Sequence, residues 1–281
     1  MARLKISFLL LGMLLFFVCL VQARDAMGVS KVSYPGGKCK YYRLYLRDKS
    51  DTVYSLSRPE EFLSLRSLAR RQRQGLSLDS TDLPVSPRYL TALEKLGLQV
   101  VRKSKWNNTV VVRVRRKKQL RRLDTLSFVT SRRLVLTAPD SIGQRKRTIF
   151  RTDGLGPEQE SHEYGMARGQ VESLGGIRLH QLGYKGEGKV IAVFDGGFMN
   201  VDKIPALHRL RLEGVADFVV PHSPNVFQET DHGTMVLSTM AVNEPYYYIG
   251  VSPEASYVLV RTEDEYTESP MEEDYWAAGA E

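Results

Sequence analysis

The chain has 281 residues, of which 42% are hydrophobic and 26% are charged, and its formal net charge is +8. This composition excludes an intrinsically disordered chain. Two cysteines in the whole sequence also exclude a fold built on disulfide bonds. The length allows one or two domains, each with a hydrophobic core of its own.

The N-terminus carries an apolar run at residues 6–21, preceded by two basic residues. These 16 residues are fewer than the roughly 20 that a membrane-spanning helix needs, and Ala23 provides a small residue for cleavage. We therefore predict a signal peptide at residues 1–23, with an uncleaved anchor as the less favoured alternative. The product is expected to be secreted or extracytoplasmic, without stable membrane insertion. Because Cys19 lies in this segment, Cys39 has no partner for an internal disulfide.

The charge is distributed unevenly along the chain. Residues 1–186 carry 35 basic and 15 acidic side chains, whereas residues 187–281 carry 5 and 17. Such asymmetry is compatible with a nucleic-acid-binding arm, but it equally suits two segments that dock through opposite potentials. Residues 101–122 contain ten Lys or Arg side chains and no acidic one, but Trp106 is their only aromatic residue. We favour docking and expect no nucleic acid partner.

After the predicted signal peptide, strand and helix patterns follow one another. Alternating apolar residues predict a strand at 40–46, and helical spacing predicts a helix at 59–68. Residues 86–97 begin with Ser-Pro and end with Gly, which marks both ends of a second helix. The remaining elements are predicted strands at 98–102, at 109–114 and near 127–130, and a helix at 118–123. Together they predict an α+β module over residues 24–136 with one sheet and one helical face.

A second module follows a polar stretch at 137–169, which is predicted to be a linker and processing region. An amphipathic helix is expected at 170–182, and the near-continuous apolar run at 189–194 is typical of a parallel strand covered on both faces. The other predicted elements are strands at 215–220 and 257–260 and a helix at 232–241. We therefore predict an α/β fold over residues 170–281, containing the opening half of a doubly wound parallel sheet.

Two residues of this module suggest catalysis. Asp195 ends a predicted strand and is followed by Gly196 and Gly197, so the backbone can turn away from the carboxylate. Reactive side chains gather at the carboxyl ends of the strands in such sheets. His232 begins a predicted helix, where the free amides disfavour an imidazolium unless a carboxylate balances it. Taken singly, Asp195 is explained as readily as a turn or helix-cap residue, and His232 is explained more readily as an ordinary satisfied or exposed histidine. The pair, however, matches the Asp and His of a Ser-His-Asp triad.

Three segments resemble known motifs. Val190–Gly197 resembles the Asp motif of the subtilisin-like serine proteases, peptidase family S8, and His232–Val236 matches the family's His-Gly-Thr-x-Val motif. Residues 250–255 are similar to its Gly-Val-Ala-Pro-x-Ala segment, and the three segments follow in the family's order. The resemblance covers residues 170–281.

The resemblance implies a secreted bacterial endopeptidase that acts on polypeptide substrates, with Asp195 and His232 as catalytic residues. The supporting motif comprises Gly196, Gly197, Gly233 and Thr234. The acidic segment at 263–276 is also similar to segments of such proteases. The basic α+β module resembles the family's pro-region, a folding aid and inhibitor that docks on the acidic catalytic part and is later removed. No cofactor is required, and no pair of residues has zinc-ligand spacing. The resemblance also allows a structural calcium ion, which the family often uses.

The serine nucleophile is not apparent in the sequence. Only 49 residues follow His232, whereas the subtilisin nucleophile comes about 150 residues after its histidine. The serines that do follow lack the family's Gly-Thr-Ser-Met surroundings; they are Ser238, Ser252, Ser256 and Ser269. We therefore expect a truncated catalytic part and no hydrolysis by this chain alone.

Two other interpretations remain open from the sequence. In the first, the basic module acts in trans as an inhibitor or folding chaperone of a related protease. In the second, the chain is a decayed product without a stable fold, because half a parallel sheet exposes an unpaired edge and an uncovered face.

Overall fold

The computed structural model describes residues 31–50, 52–143 and 162–281. The predicted signal peptide and most of the predicted linker therefore lie outside the described residues. No helix within these three ranges is long and apolar enough to span a bilayer. The described residues fall into two compact units, of which the larger comprises Tyr34–Asp140 and the described part of residues 147–281.

The chain alternates strands and helices along its length. The strands are β1 (Lys31–Ser33), β2 (Lys40–Leu46), β3 (Gln99–Ser104), β4 (Thr109–Val114), β5 (Val129–Thr137), β6 (Ser141–Gly143), β7 (Val190–Asp195), β8 (Arg211–Asp217), β9 (Asn243–Glu244), β10 (Tyr248–Ile249) and β11 (Ser256–Arg261). The helices are α1 (Leu65–Gln74), α2 (Pro87–Lys95), α3 (Lys117–Leu123), α4 (Arg168–Ser173), α5 (Gly176–Gln181), α6 (His232–Ala241) and α7 (Glu272–Ala280). In the smaller unit, β1 and β6 pair antiparallel.

Strands β2 to β5 form an antiparallel sheet in the order β3-β4-β2-β5. Side chains that alternate along β2 and β4, including Leu44, Val110 and Val112, are fully buried on one face. They pack in one hydrophobic cluster with Leu93 of α2 and Leu123 of α3. This arrangement is the predicted α+β module with one helical face.

The later segment forms a parallel sheet in the order β7-β11-β8. On one face α6 joins the sheet in a hydrophobic cluster that includes Val193, Leu237, Ala241, Tyr257 and Leu259. On the other face α7 approaches closely at Gly279, where a Cβ would lie 2.7 Å from Phe194 Cε1. Helices therefore cover both faces, which confirms the predicted doubly wound α/β class.

Two predicted helices differ from those observed. The helix expected at 170–182 is divided into α4 and α5, because Gly175 between them adopts a left-handed conformation with φ 70°. The helix expected at 59–68 is a short 3₁₀ turn at Pro59–Glu61 followed by α1. Ser64 begins α1, since its side chain accepts a hydrogen bond from the backbone N–H of Ser67.

Two predicted strands are displaced or extended. The strand expected at 215–220 is β8, which begins at Arg211 and ends at Asp217. The strand expected near 127–130 is β5, which continues to Thr137. Both strands carry exposed charged residues in their paired portions, so apolar periodicity did not reveal their full length.

Candidate active site

Asp195 and His232 lie side by side at the carboxyl end of the parallel sheet. Asp195 is the last residue of β7, and His232 is the first residue of α6. His232 Nδ1 lies 2.8 Å from Asp195 Oδ2, while Asp195 Oδ1 accepts a hydrogen bond of 2.8 Å from the N–H of Gly196. The carboxylate is buried, whereas the His232 side chain is 64% exposed. One carboxylate oxygen is thus held by the backbone, and the other faces the imidazole.

The electrostatics of the pair favour a protonated imidazole. Asp195 raises the pKa of His232 above its ordinary value, first through their hydrogen bond and then through charge attraction. Glu263 and Asp231 add to the increase. Burial raises the pKa of the Glu263 carboxyl, and the nearby Asp195 raises it further. The nearby carboxylates therefore favour the charged imidazole, which the helix N-terminus by itself would disfavour.

The glycines predicted to support the site allow its backbone segments to approach closely. A Cβ at Gly233 would lie 2.3 Å from the carbonyl oxygen of Gly197 and 2.9 Å from Asp195 Cβ. Thr234 Oγ1 donates a hydrogen bond of 2.8 Å to the carbonyl oxygen of Met199. These contacts hold the start of α6 against the end of β7.

Arg261 is a buried member of the site that the sequence reasoning did not single out. In the parallel register it pairs with Asp195 of β7 and with Asp217 of β8. Its Nε donates to the carbonyl oxygen of Gly196 at 3.0 Å, and its Nη1 donates to both carboxylate oxygens of Asp217 at 3.3 and 3.2 Å. Nη2 lies 3.9 Å from Glu229 Oε2. The available signal was a basic residue ending an apolar strand in a strongly acidic segment.

Two of the serines that follow His232 have positions or contacts of their own. Ser238 lies on α6 and donates its hydroxyl hydrogen to the carbonyl oxygen of Met235. Ser256 begins β11 and pairs with Val190, so it lies at the amino end of the sheet, opposite to Asp195. The His232 ring contacts Asp195 through Nδ1, and the side chain is largely exposed.

Metal ligands are not gathered in the part of the chain that the structure describes. Three or more His, Cys, Asp or Glu side chains do not come together there in an arrangement that would hold an ion.

The other face of the β2–β5 sheet contacts α7 through Arg43 of β2. Its Nε lies 2.8 Å from Asp274 Oδ1, and its Nη2 lies 2.8 Å from Asp274 Oδ2. Nη1 donates to Glu273 Oε2 at 2.8 Å, and Nη2 also donates to the carbonyl oxygen of Pro270 at 2.9 Å. Arg43 and Asp274 are both buried. A base of the positively charged module is thus enclosed by acids of the negatively charged one.

The turn between β3 and β4 contacts the same helix at its C-terminal end. The Glu281 carboxylate accepts hydrogen bonds from Ser104 Oγ at 2.6 Å and from the backbone N–H groups of Lys105 and Trp106 at 2.7 and 3.1 Å. Asp274 and Glu281 are seven residues apart, so they lie on one face of the helix. Along α7, Arg43 thus meets the opposite charge of Asp274, whereas the Glu281 carboxylate is held by a hydroxyl and two backbone N–H groups.

Residues 41–149 match the family model described as "Peptidase S8 propeptide domain, Bacteroidota". No curated protein matches the chain. Among solved structures, the chain is similar to the epidermin leader peptide processing serine protease EpiP of Staphylococcus aureus, with 14% identity over 84% of this chain and 45% of that one and a TM-score of 0.44. It is also similar to fervidolysin of Fervidobacterium pennivorans, a keratinolytic enzyme related to subtilisin, with 13% identity over 81% of this chain and 31% of that one and a TM-score of 0.41. The chain spans less than half the length of these structures.

Proposed function

We propose that the chain, whose residues 41–149 match a peptidase S8 propeptide domain, is an S8 subtilase with a pro-region and contributes the Asp and the His of a secreted serine endopeptidase. Asp195 orients the imidazole of His232, and His232 acts as the general base toward a serine. Polypeptides are the substrates. The observation that carries this proposal is the 2.8 Å hydrogen bond between Asp195 Oδ2 and His232 Nδ1.

The geometry explains how the pair would work. When Nδ1–H donates to Asp195, the lone pair of the neutral imidazole resides on Nε2 of a largely exposed side chain. Nε2 can then accept the proton of a serine hydroxyl as that oxygen attacks the peptide carbonyl. The resulting imidazolium is stabilised by the buried carboxylate and returns the proton to the leaving amine. This chemistry needs no cofactor, and a structural calcium ion is not part of it.

The attacking serine is proposed to come from outside residues 1–281. Ser238 and Ser256 are directed elsewhere by their own contacts or by their place in the sheet. In the subtilisin series, removal of the serine lowers kcat by about a millionfold. We therefore expect the 281-residue chain to be inactive on its own.

The proposed organisation follows the order of segments along the chain. Residues 1–23 act as a signal peptide for export out of the cytoplasm, and residues 24–136 form the pro-region. Residues 137–169 form a linker that contains the processing point, and residues 170–281 contribute the first part of the catalytic domain. The propeptide match at 41–149 and the hydrophobic cluster shared by β2, β4, α2 and α3 support the placement of the pro-region.

The pro-region is proposed to dock on the catalytic part as a folding aid and inhibitor. Support comes from the contacts of Arg43 with Asp274 and Glu273, and from the hydrogen bonds that the β3–β4 turn donates to Glu281. Both contacts join the basic module to α7, which packs on the parallel sheet. A module docked in this way would organise that sheet during folding.

A fluorophosphonate probe tests the catalytic proposal, because it labels only an activated serine. We would compare the 281-residue chain with the product of the complete reading frame of its gene. If that product is longer, it should be labelled, and Asp195→Ala and His232→Ala should each abolish labelling. The 281-residue chain should stay unlabelled. Labelling of that chain, or labelling of the longer product that survives His232→Ala, would contradict the proposal.

A second function is favoured by the separate hydrophobic cluster of the basic module. In this alternative, the module inhibits or chaperones a related protease in trans. The test adds the 281-residue chain, cleaved within residues 144–161, to an active S8 protease and measures the inhibition constant. Inhibition that weakens with Arg43→Met supports a role in trans, whereas the absence of inhibition at any concentration excludes it.

A further inference from the structure

We propose that Arg261 is a positioning residue that holds Asp195 in the orientation required for its hydrogen bond with His232. The inference rests on the proposed function of that pair, and it assigns a role to a residue outside the family motifs described above. Arg261 does not contact His232 in the described structure. It acts through the backbone of Gly196.

Three strands carry charged residues at the same level of the sheet. Asp195, Arg261 and Asp217 are register partners across β7, β11 and β8. The Arg261 side chain is 5% exposed, and that of Asp217 is 12% exposed. A buried cation therefore lies between two strand ends that carry carboxylates, at the same edge of the sheet as the imidazole.

Arg261 holds the backbone of Gly196. Its Nε donates to the carbonyl oxygen of Gly196 at 3.0 Å, and the N–H of the same residue donates to Asp195 Oδ1 at 2.8 Å. A glycine can rotate about both backbone dihedrals more freely than any other residue. Anchoring its carbonyl removes that freedom, so its N–H stays on Oδ1. Oδ2 is then left for His232.

Arg261 is itself held by two acidic side chains. Both oxygens of Asp217 accept from Nη1, and Glu229 lies beside Nη2. Asp217 is fixed in turn by the backbone N–H groups of Val219 and Ser223, at 2.9 and 2.6 Å. The planar guanidinium can contact the Gly196 carbonyl and the carboxylates of Asp217 and Glu229 at the same time. A lysine ammonium lacks this fork geometry, although it keeps the charge.

The test is an NMR titration of the His232 imidazole in the full 281-residue chain, with the signal assigned from His232→Gln. Asp195→Asn defines the reference, because it removes the carboxylate that raises the His232 pKa. If Asp195→Asn leaves that pKa unchanged, the proposed Asp-His pair fails, whatever the Arg261 variants show. A lower His232 pKa in Asp195→Asn establishes the pair, and the Arg261 variants can then be tested.

The Arg261 variants separate positioning from simple charge. The charged groups that raise the His232 pKa are Asp195, Glu263 and Asp231, and a nearby cation opposes them. Loss of the Arg261 charge alone would therefore raise the pKa. Loss of positioning would lower it, by about half or more of the Asp195→Asn shift. We expect this lowering with Arg261→Met and also with Arg261→Lys.

Two variants keep the test decisive. If Arg261→Met does not fold, Arg261→Lys loosens the same contacts without removing the cation, and it should still lower the His232 pKa. Arg211→Met removes a cation at the opposite end of β8, where it donates to the carbonyl oxygen of Glu254, and it should leave the pKa in place. An unchanged His232 pKa in folded Arg261→Lys, or a raised one in Arg261→Met, would overturn the proposal.

Discussion

Arg43 and Asp274 are 231 positions apart in the chain, yet two nitrogens of the guanidinium meet two oxygens of the carboxylate, each at 2.8 Å. Both side chains are buried at the junction between the β2–β5 sheet and α7. Burial raises the pKa of the Asp274 carboxyl, although Arg43 acts in the opposite direction. The junction therefore contains a charge pair whose partners depend on each other.

Breaking this pair on one side should be costly. Arg43→Met or Asp274→Leu alone leaves an uncompensated buried charge, which costs about 3–5 kcal/mol. The double variant should be nearly neutral, because it replaces the pair with apolar groups. Urea denaturation measures the free energy of unfolding of the two single variants and of the double variant. Arg58→Met, which breaks the more exposed Arg58–Glu61 pair, is the control and should cost about 1 kcal/mol or less. Single variants as mild as this control would contradict the prediction.

The Glu281 carboxylate should protect the turn between β3 and β4. In Glu281→Gln, the hydrogen bonds from Ser104 and from the N–H groups of Lys105 and Trp106 lose their charge assistance. We expect a loss of about 1–2 kcal/mol, since each partner stays polar and partly exposed. Hydrogen exchange of the Lys105 and Trp106 amides should accelerate. The exposed Glu268→Gln is the matched control, and equal exchange in both variants would show that Glu281 does not hold the turn.

Gly233→Ala should separate the start of α6 from the end of β7. The new Cβ would lie 2.3 Å from the carbonyl oxygen of Gly197, so the backbone must move, at a cost of about 1–3 kcal/mol. The His232 pKa should fall as its hydrogen bond with Asp195 lengthens. Gly214→Ala is the control because no atom lies within 4 Å of its Cβ. Thermal unfolding and imidazole titration are the measurements, and a Gly233→Ala variant that behaves like Gly214→Ala would refute this reasoning.

The stability contributed by the Asp195–His232 pair should decrease with rising pH. The His232 pKa in the folded chain is raised above the ordinary histidine value of 6.5. The stabilisation is therefore fully present below about 6.5, and it is lost as pH rises through the folded-state pKa. The unfolding free energy of the parent chain minus that of His232→Gln should be larger at about pH 5.5 than at about pH 8.5. In an Asp195→Asn background the same difference should lose its pH dependence, and persistence there would point to another partner.

Several elements were predictable because their signals are local. The β-branched run of β4 and the small apolar helix α6 have the bounds expected from the sequence, Thr109–Val114 and His232–Ala241. Apolar periodicity and flanking turn residues act over a few positions, so they can be read directly. Where exposed charges occupy a strand, as in β5 and β8, that signal is absent and the bounds were missed.

The sequence by itself determined the class of fold, the order of the two modules and the pairing of one aspartate with one histidine, because these depend on local patterns and on motifs with a characteristic order. Only the tertiary structure decided that Arg261 lies between Asp195 and Asp217, and that Arg43 and the β3–β4 turn engage Asp274 and Glu281. These contacts join residues far apart in the chain, and strand register and helix packing select them among the many Arg and acidic side chains that the composition makes available.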